Sequence, residues 1–198
     1  FKWFSDFYRE IKSEAYPLDY DRQACIHHLP ELNLLILGLN SAWQLDHHFK
    51  ARADIHPDAL SRALKTIRLD DRLKACRKFA VWHHPLLSPF DDRIKGHGFM
   101  QQLAKAGFCV CLHGHIHKAA TDQFRYDVSE EGRRIHMVGA GTFGAPVAEW
   151  TPGYPLQYNL LKIKGDTLTV ETRRRIEING AWEADAIWRQ GAGKDPLP

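Results

Sequence analysis

Three short apolar runs, Leu34 to Leu39, Phe79 to Trp82 and Phe108 to Leu112, constrain the fold of this chain more than any other feature. Runs this short and this continuous read as strands buried on both faces of a sheet. The segments separating them carry helical patterns. Pro57 suits a first helical turn, and Leu60, Ala63, Leu64 and Ile67 form an apolar stripe behind it. Phe99 to Ala106 is helical in composition, with Gly107 as its stop leading directly into Phe108. The resulting β-α-β rhythm predicts an α/β sheet.

The texture changes after His117. Thr121 to Tyr126 and Arg134 to Val138 flank Ser129-Glu-Glu-Gly132, and Leu156 to Ile163 with Thr167 to Ile178 flank Gly165-Asp166, so two hairpins are expected. At the other end, Phe1, Phe4, Tyr8 and Ile11 have helical spacing. Residues 191–198, Gly-Ala-Gly-Lys-Asp-Pro-Leu-Pro, have the composition of a linker or tail, after which a further domain could follow. With 198 residues, 44% hydrophobic and 26% charged, the chain can bury a substantial core and is neither disordered nor fibrous. No apolar stretch approaches the roughly 18 residues of a membrane span.

Two of the apolar runs end in histidines. Phe79-Ala-Val-Trp82 leads into His83-His84-Pro85, and Phe108-Cys-Val-Cys-Leu112 into His113-Gly-His-Ile-His117. Alternate residues of an extended chain share a face, so the spacing of His115 and His117 predicts two imidazoles directed at one region, with Gly114 allowing a turn. Ligands of open α/β sheets lie beyond the carboxyl ends of strands, and neutral imidazole is a common metal ligand. His83, His115 and His117 are therefore the candidate metal ligands. His27-His28 and His47-His48 have no such strand-end setting and are assigned to the surface or to supporting positions.

Gly114-His-Ile-His117, preceded by Val81-Trp-His-His-Pro85, resembles the last two signature motifs of the calcineurin-like metallophosphoesterases. Leu34 to Ser41 resembles the strand after that family's Gly-Asn-His-Asp/Glu motif, and Gly139-Ala-Gly-Thr-Phe-Gly144 its glycine-rich strand end. The likeness runs from about Leu32 to about Trp182. It implies an α/β fold, a two-sheet metallophosphoesterase sandwich flanked by helices. It places the family's Asp-x-His, Gly-Asp-x-x-Asp and Gly-Asn-His-Asp/Glu motifs outside this chain. Residues 1–190 are accordingly read as the C-terminal portion of such a domain, with the N-terminal part of the fold missing.

The resemblance further implies two divalent ions (Mn, Fe or Zn) and hydrolysis of a phosphomonoester or phosphodiester by a metal-bridging hydroxide. His83 and His115 would serve one ion and His117 the other, with the carboxylates coming from the missing motifs. This chain alone would then be inactive. His84, Asp91 and Asp92 follow a ligand and could shape the pocket. Two other readings stay open: a metal-dependent nuclease of the same family, and a degenerate domain serving as a scaffold or partner-binding module.

The remaining features point to bland roles. Cys109, Cys111 and His113 share parity, but the strand around them is apolar and core packing is the expected role of its thiols. The four cysteines are too sparse for a disulfide scaffold, which favours a reducing, cytoplasmic setting. The formal net charge is +3, and Arg173-Arg174-Arg175 has acidic neighbours, so a solvated strand face is expected rather than a nucleic-acid patch.

Overall fold

A computed structural model describes residues 1–88, 92–125, 133–144, 153–177 and 179–185. It is a mixed α/β structure with a six-stranded sheet, a separate three-stranded antiparallel sheet and helices. The chain divides into two compact units, residues 1–113 with 122–138, and residues 114–121 with 139–198.

The first unit is built on the six-stranded sheet. In chain order the helices and the strands of that sheet are α1 (Lys2–Lys12), β1 (Ala24–Leu29), β2 (Leu34–Leu39), α2 (Pro57–Leu69), α3 (Asp71–Ala75), β3 (Arg77–Val81), α4 (Gly98–Lys105), β4 (Phe108–His113), β5 (Ala120–Arg125) and β6 (Arg134–Gly139). The strand order is β1-β2-β3-β4-β6-β5. β2, β3 and β4 are parallel neighbours, as helical crossovers between apolar strands require, and β1 pairs antiparallel with β2. Leu35, Leu37, Ala80 and Cys111 are wholly buried in the sheet, and Leu60, Met100 and Leu103 of the crossover helices pack into the same core.

Local chemistry sets the ends of these elements. His56 caps α2 by accepting a hydrogen bond from the Asp58 N–H at Nδ1 (3.2 Å), with Pro57 at the first helical position. Asp70 stands at the junction of α2 and α3 and accepts from the Arg72 N–H at 2.9 Å. α4 ends before Gly107, whose φ of 84° a side chain would disfavour, so the chain can turn straight into β4. Cys111 is buried as expected, but Cys109 is exposed, and its Sγ donates to the Lys78 carbonyl at 3.7 Å. The expectation of burial on both faces therefore fails at that position, where β4 leaves one side uncovered.

The second unit holds β7 (Leu156–Lys164), β8 (Thr167–Arg175) and β9 (Glu183–Ala184) in that order. β7 and β8 form the expected hairpin, with Lys164 opposite Thr167 across Gly165-Asp166. Gln157 is fully buried here: its Oε1 accepts from the Ala119 N–H (2.9 Å) and its Nε2 donates to Asp185. A Cβ at Gly141 would stand 2.4 Å from the Gln157 Cβ, so the glycine is needed for close approach. The arginine run is committed locally. Arg173 pairs with Glu171 (3.6 Å), Arg174 with Glu183 (3.0 Å) and Asp185 (3.8 Å), and Arg175 lies over the Trp182 ring at 4.9 Å.

The turn expected at Ser129 to Gly132, together with Asp91 and the tail at 191–198, lies outside the described residues. No helix among the described residues is long and apolar enough to cross a membrane.

Candidate metal centre

The parallel pairing of β3 with β4 is what makes a site. Val81 is opposite Leu112, and the Trp82 N–H extends the ladder by donating to the Leu112 carbonyl at 3.1 Å. Both strands therefore end at the same level, and the residues that follow leave at neighbouring points on the carboxyl edge. Trp82 is held in the core against Phe99, ring centroids 5.3 Å apart and nearly perpendicular. That anchors the base of the histidine pair, and the loop beyond it is tied back where the Ile94 N–H donates to the Pro85 carbonyl at 2.9 Å.

Ser41, two residues past β2, organises the pair. It is buried, and its Oγ accepts from the backbone N–H groups of both His83 and His84, each at 3.2 Å. The same Oγ lies 2.9 Å from Nδ1 of His84. A hydroxyl has two acceptor lone pairs and one hydrogen, and the two N–H groups take up the lone pairs. The hydrogen is left to donate to Nδ1, so this bonding pattern assigns the ring proton of His84 to Nε2. His84 is thereby a hydrogen-bond donor at Nε2. The His83 ring stands nearly perpendicular to it, centroids 4.9 Å apart.

His83, His84 and His115 each offer a ring nitrogen, and these three atoms lie within 4.8 Å of one another. His83 is exposed, His84 buried and His115 half-buried. Two of the expected ligands, His83 and His115, are thus brought together, and His84, expected only to shape the pocket, joins them. His117 is not a member of this group.

The backbone departs from the extended geometry expected after β4. His115 and His117 both have positive φ, 68° and 55°, whereas Gly114 does not. A residue with a Cβ pays about 1–2 kcal/mol in the left-handed region, and such outliers gather at functional sites. The strain is therefore carried by the two histidines, which are steered by a tight turn in which the Ile116 N–H bonds the Gly114 carbonyl (2.8 Å).

Asp-x-His was expected only outside the chain, but it occurs twice within it, as Asp46-His47-His48 and Asp54-Ile55-His56. Neither triplet contributes to the three-imidazole group. Asp46 Oδ1 accepts from the His48 and Phe49 N–H groups (2.7 and 2.8 Å), and His56 is the α2 cap. Asp92 accepts from the Ser88 hydroxyl at 2.8 Å, a loop-ordering role.

The donor set fits one borderline ion. Imidazole nitrogens suit Zn, Fe, Ni or Cu; His83 and His115 can each offer one, whereas His84, with Nδ1 accepting from Ser41 and its proton on Nε2, stands beside them as a hydrogen-bond donor. Among the described residues this group contains no acidic side chain, so the carboxylates of a two-ion centre would have to come from elsewhere. Comparison with known proteins finds no matching family model and no matching curated protein.

Proposed function

We propose that the three-imidazole group forms the nitrogen side of a metal centre for hydrolysing phosphate esters, of the kind used by calcineurin-like metallophosphoesterases, whose two-sheet sandwich would be the finer description of the fold. The observation carrying this reading is the meeting of three imidazoles beyond the carboxyl ends of β3 and β4. A bound divalent ion would supply Lewis-acid stabilisation of phosphoryl charge and a lowered water pKa.

The chain's own residues divide the remaining work. His83 and His115 hold the ion, since neither has its ring proton fixed by Ser41. His84 is oriented by Ser41 with its Nε2–H as donor, which suits it to stabilise a phosphoryl oxygen. His117, on the same strained turn, completes the ligand set only with acidic groups from outside the three-imidazole group.

Two outcomes test this. Hydrolysis of bis-p-nitrophenyl phosphate with Mn²⁺, Fe²⁺ or Zn²⁺ is expected to be negligible for the 198-residue chain, because among the described residues no carboxylate joins the group to bridge two ions. In a protein that joins this chain to the family's acidic motifs, metal-dependent turnover is expected, falling in His83→Ala or His115→Ala by at least the roughly 10–100-fold that loss of a supporting residue costs. Robust turnover by the short chain, or an unchanged rate in those variants, would refute the assignment. The scaffold alternative draws on the same lack of acidic residues in the group, and it predicts no turnover in either protein.

A further inference from the structure

The opposite edge of the same sheet carries a concentration of charge. A cavity of about 520 Å³ lies among α2, α3, α4 and the start of β3. Five cationic side chains line it: Lys65, Arg68, Lys74, Lys78 and Lys105. No acidic side chain is among the described residues that line it, although the whole chain carries only a +3 excess. Leu64, Ile67 and Ala106 give it an apolar wall.

Part of this charge has a structural explanation. Arg68, Lys74 and Lys105 stand in the last turns of three helices, where cations offset the helix dipole. Lys78 is buried, and its Nζ donates to the Lys74 and Cys76 carbonyls at 2.7 and 3.0 Å. Arg133 donates similarly to the Ala104 and Lys105 carbonyls, at 3.5 and 3.0 Å. The dipole argument explains a cation on each helix. It does not explain why three helices aim theirs into one hollow, or why Lys65, a turn before the end of α2, joins them. Burial also lowers the pKa of the Lys78 ammonium below the ordinary lysine range. An anion in the cavity would offset that cost.

We propose that this cavity binds a small polyphosphorylated molecule with a flat apolar part, of the nucleoside polyphosphate class. Its volume lies within the roughly 300–1,000 Å³ of small-molecule sites. Convergence of charge on a hollow favours a compact ligand over a nucleic-acid strand, which would be tracked by an extended stripe. The apolar wall suits a base, and Ser61 and Gln102 in the lining offer polar contacts. The site is separate from the imidazole group. Lys78 is the second residue of β3 and Lys105 precedes β4, whereas His83 and His115 follow the other ends of these strands.

The test is calorimetric titration of the 198-residue chain with ATP in EDTA, which removes any contribution from a metal. Saturable one-to-one binding is expected, weakened about tenfold or more in Lys65→Glu/Arg68→Glu, a pair of exposed positions whose replacement should lower the melting temperature only by the helix-end contribution of Arg68 and leave the chain folded. Pyrophosphate should compete, more weakly than ATP. His83→Ala should bind ATP as the parent does, which separates this site from the proposed metal centre. Absence of saturable binding, or equal affinity in the charge-reversed chain, would overturn the proposal. So would a 20-base oligonucleotide that binds more tightly than ATP through the same two residues.

Discussion

Ser41 shows how one buried hydroxyl can decide what a histidine does. With its lone pairs taken by two backbone N–H groups, it must donate to Nδ1 of His84, which fixes the tautomer. Long-range ¹⁵N–¹H correlation spectra should show His84 as the Nε2–H form, and Ser41→Ala should shift that signal toward a tautomer mixture. An Nδ1–H form in the parent would contradict the assignment. The contact links residues 43 apart, so no local pattern announces it, whereas His83 and His115 could be picked out by strand-end position alone. Asp70 offers a second test at this scale. The Arg72 guanidinium hydrogen-bonded to it, together with backbone N–H donors, lowers its pKa from 3.8 to about 2. A depressed carboxyl stabilises the fold above its unfolded pKa and loses that contribution as pH falls through the folded one. The stability gap between the parent and Asp70→Asn should thus be present at neutral pH and close between about pH 4 and pH 2. A gap that stays constant across that window in denaturant melts would contradict the pairing.

At the level of elements, β2, α2, β3, α4 and β4 were legible because their apolar residues follow the period of their final structure. Pro57 and Gly107 marked boundaries that the structure keeps. β1 was not legible. Ala24-Cys-Ile-His-His-Leu29 mixes polar and apolar residues because it is an edge strand, half-buried at best and paired on one side. The left-handed turn at His115 and His117 was also hidden, since Gly114 looked like the natural place for the bend. Two substitutions test the packing. Leu37→Ala, wholly buried in β2, should cost about 2–5 kcal/mol in urea denaturation. Gly141→Ala should also destabilise, by pushing the added methyl into Gln157 and disturbing its bonds to Ala119 and Asp185. Parental stability in either variant would contradict the packing described.

For the whole molecule, the parallel core strands set up a division of chemistry. Their carboxyl ends present imidazoles, and their amino ends, with the helix termini beside them, present lysines and arginines. This polarity follows from β-α-β connectivity, which returns every crossover helix to the same edge before the next strand begins. The exposed apolar residues of α1, Trp3, Phe4, Phe7 and Ile11, have no comparable role assigned by their surroundings. The central claim is that the group beyond β3 and β4 binds a metal ion, and Co²⁺ titration followed by visible absorption reads it most directly. One ion per chain with d–d bands of nitrogen coordination is the expected result, lost in His83→Ala and in His115→Ala but retained in His47→Ala/His48→Ala. Unchanged binding in the first two variants, or its loss in the last, would contradict the account.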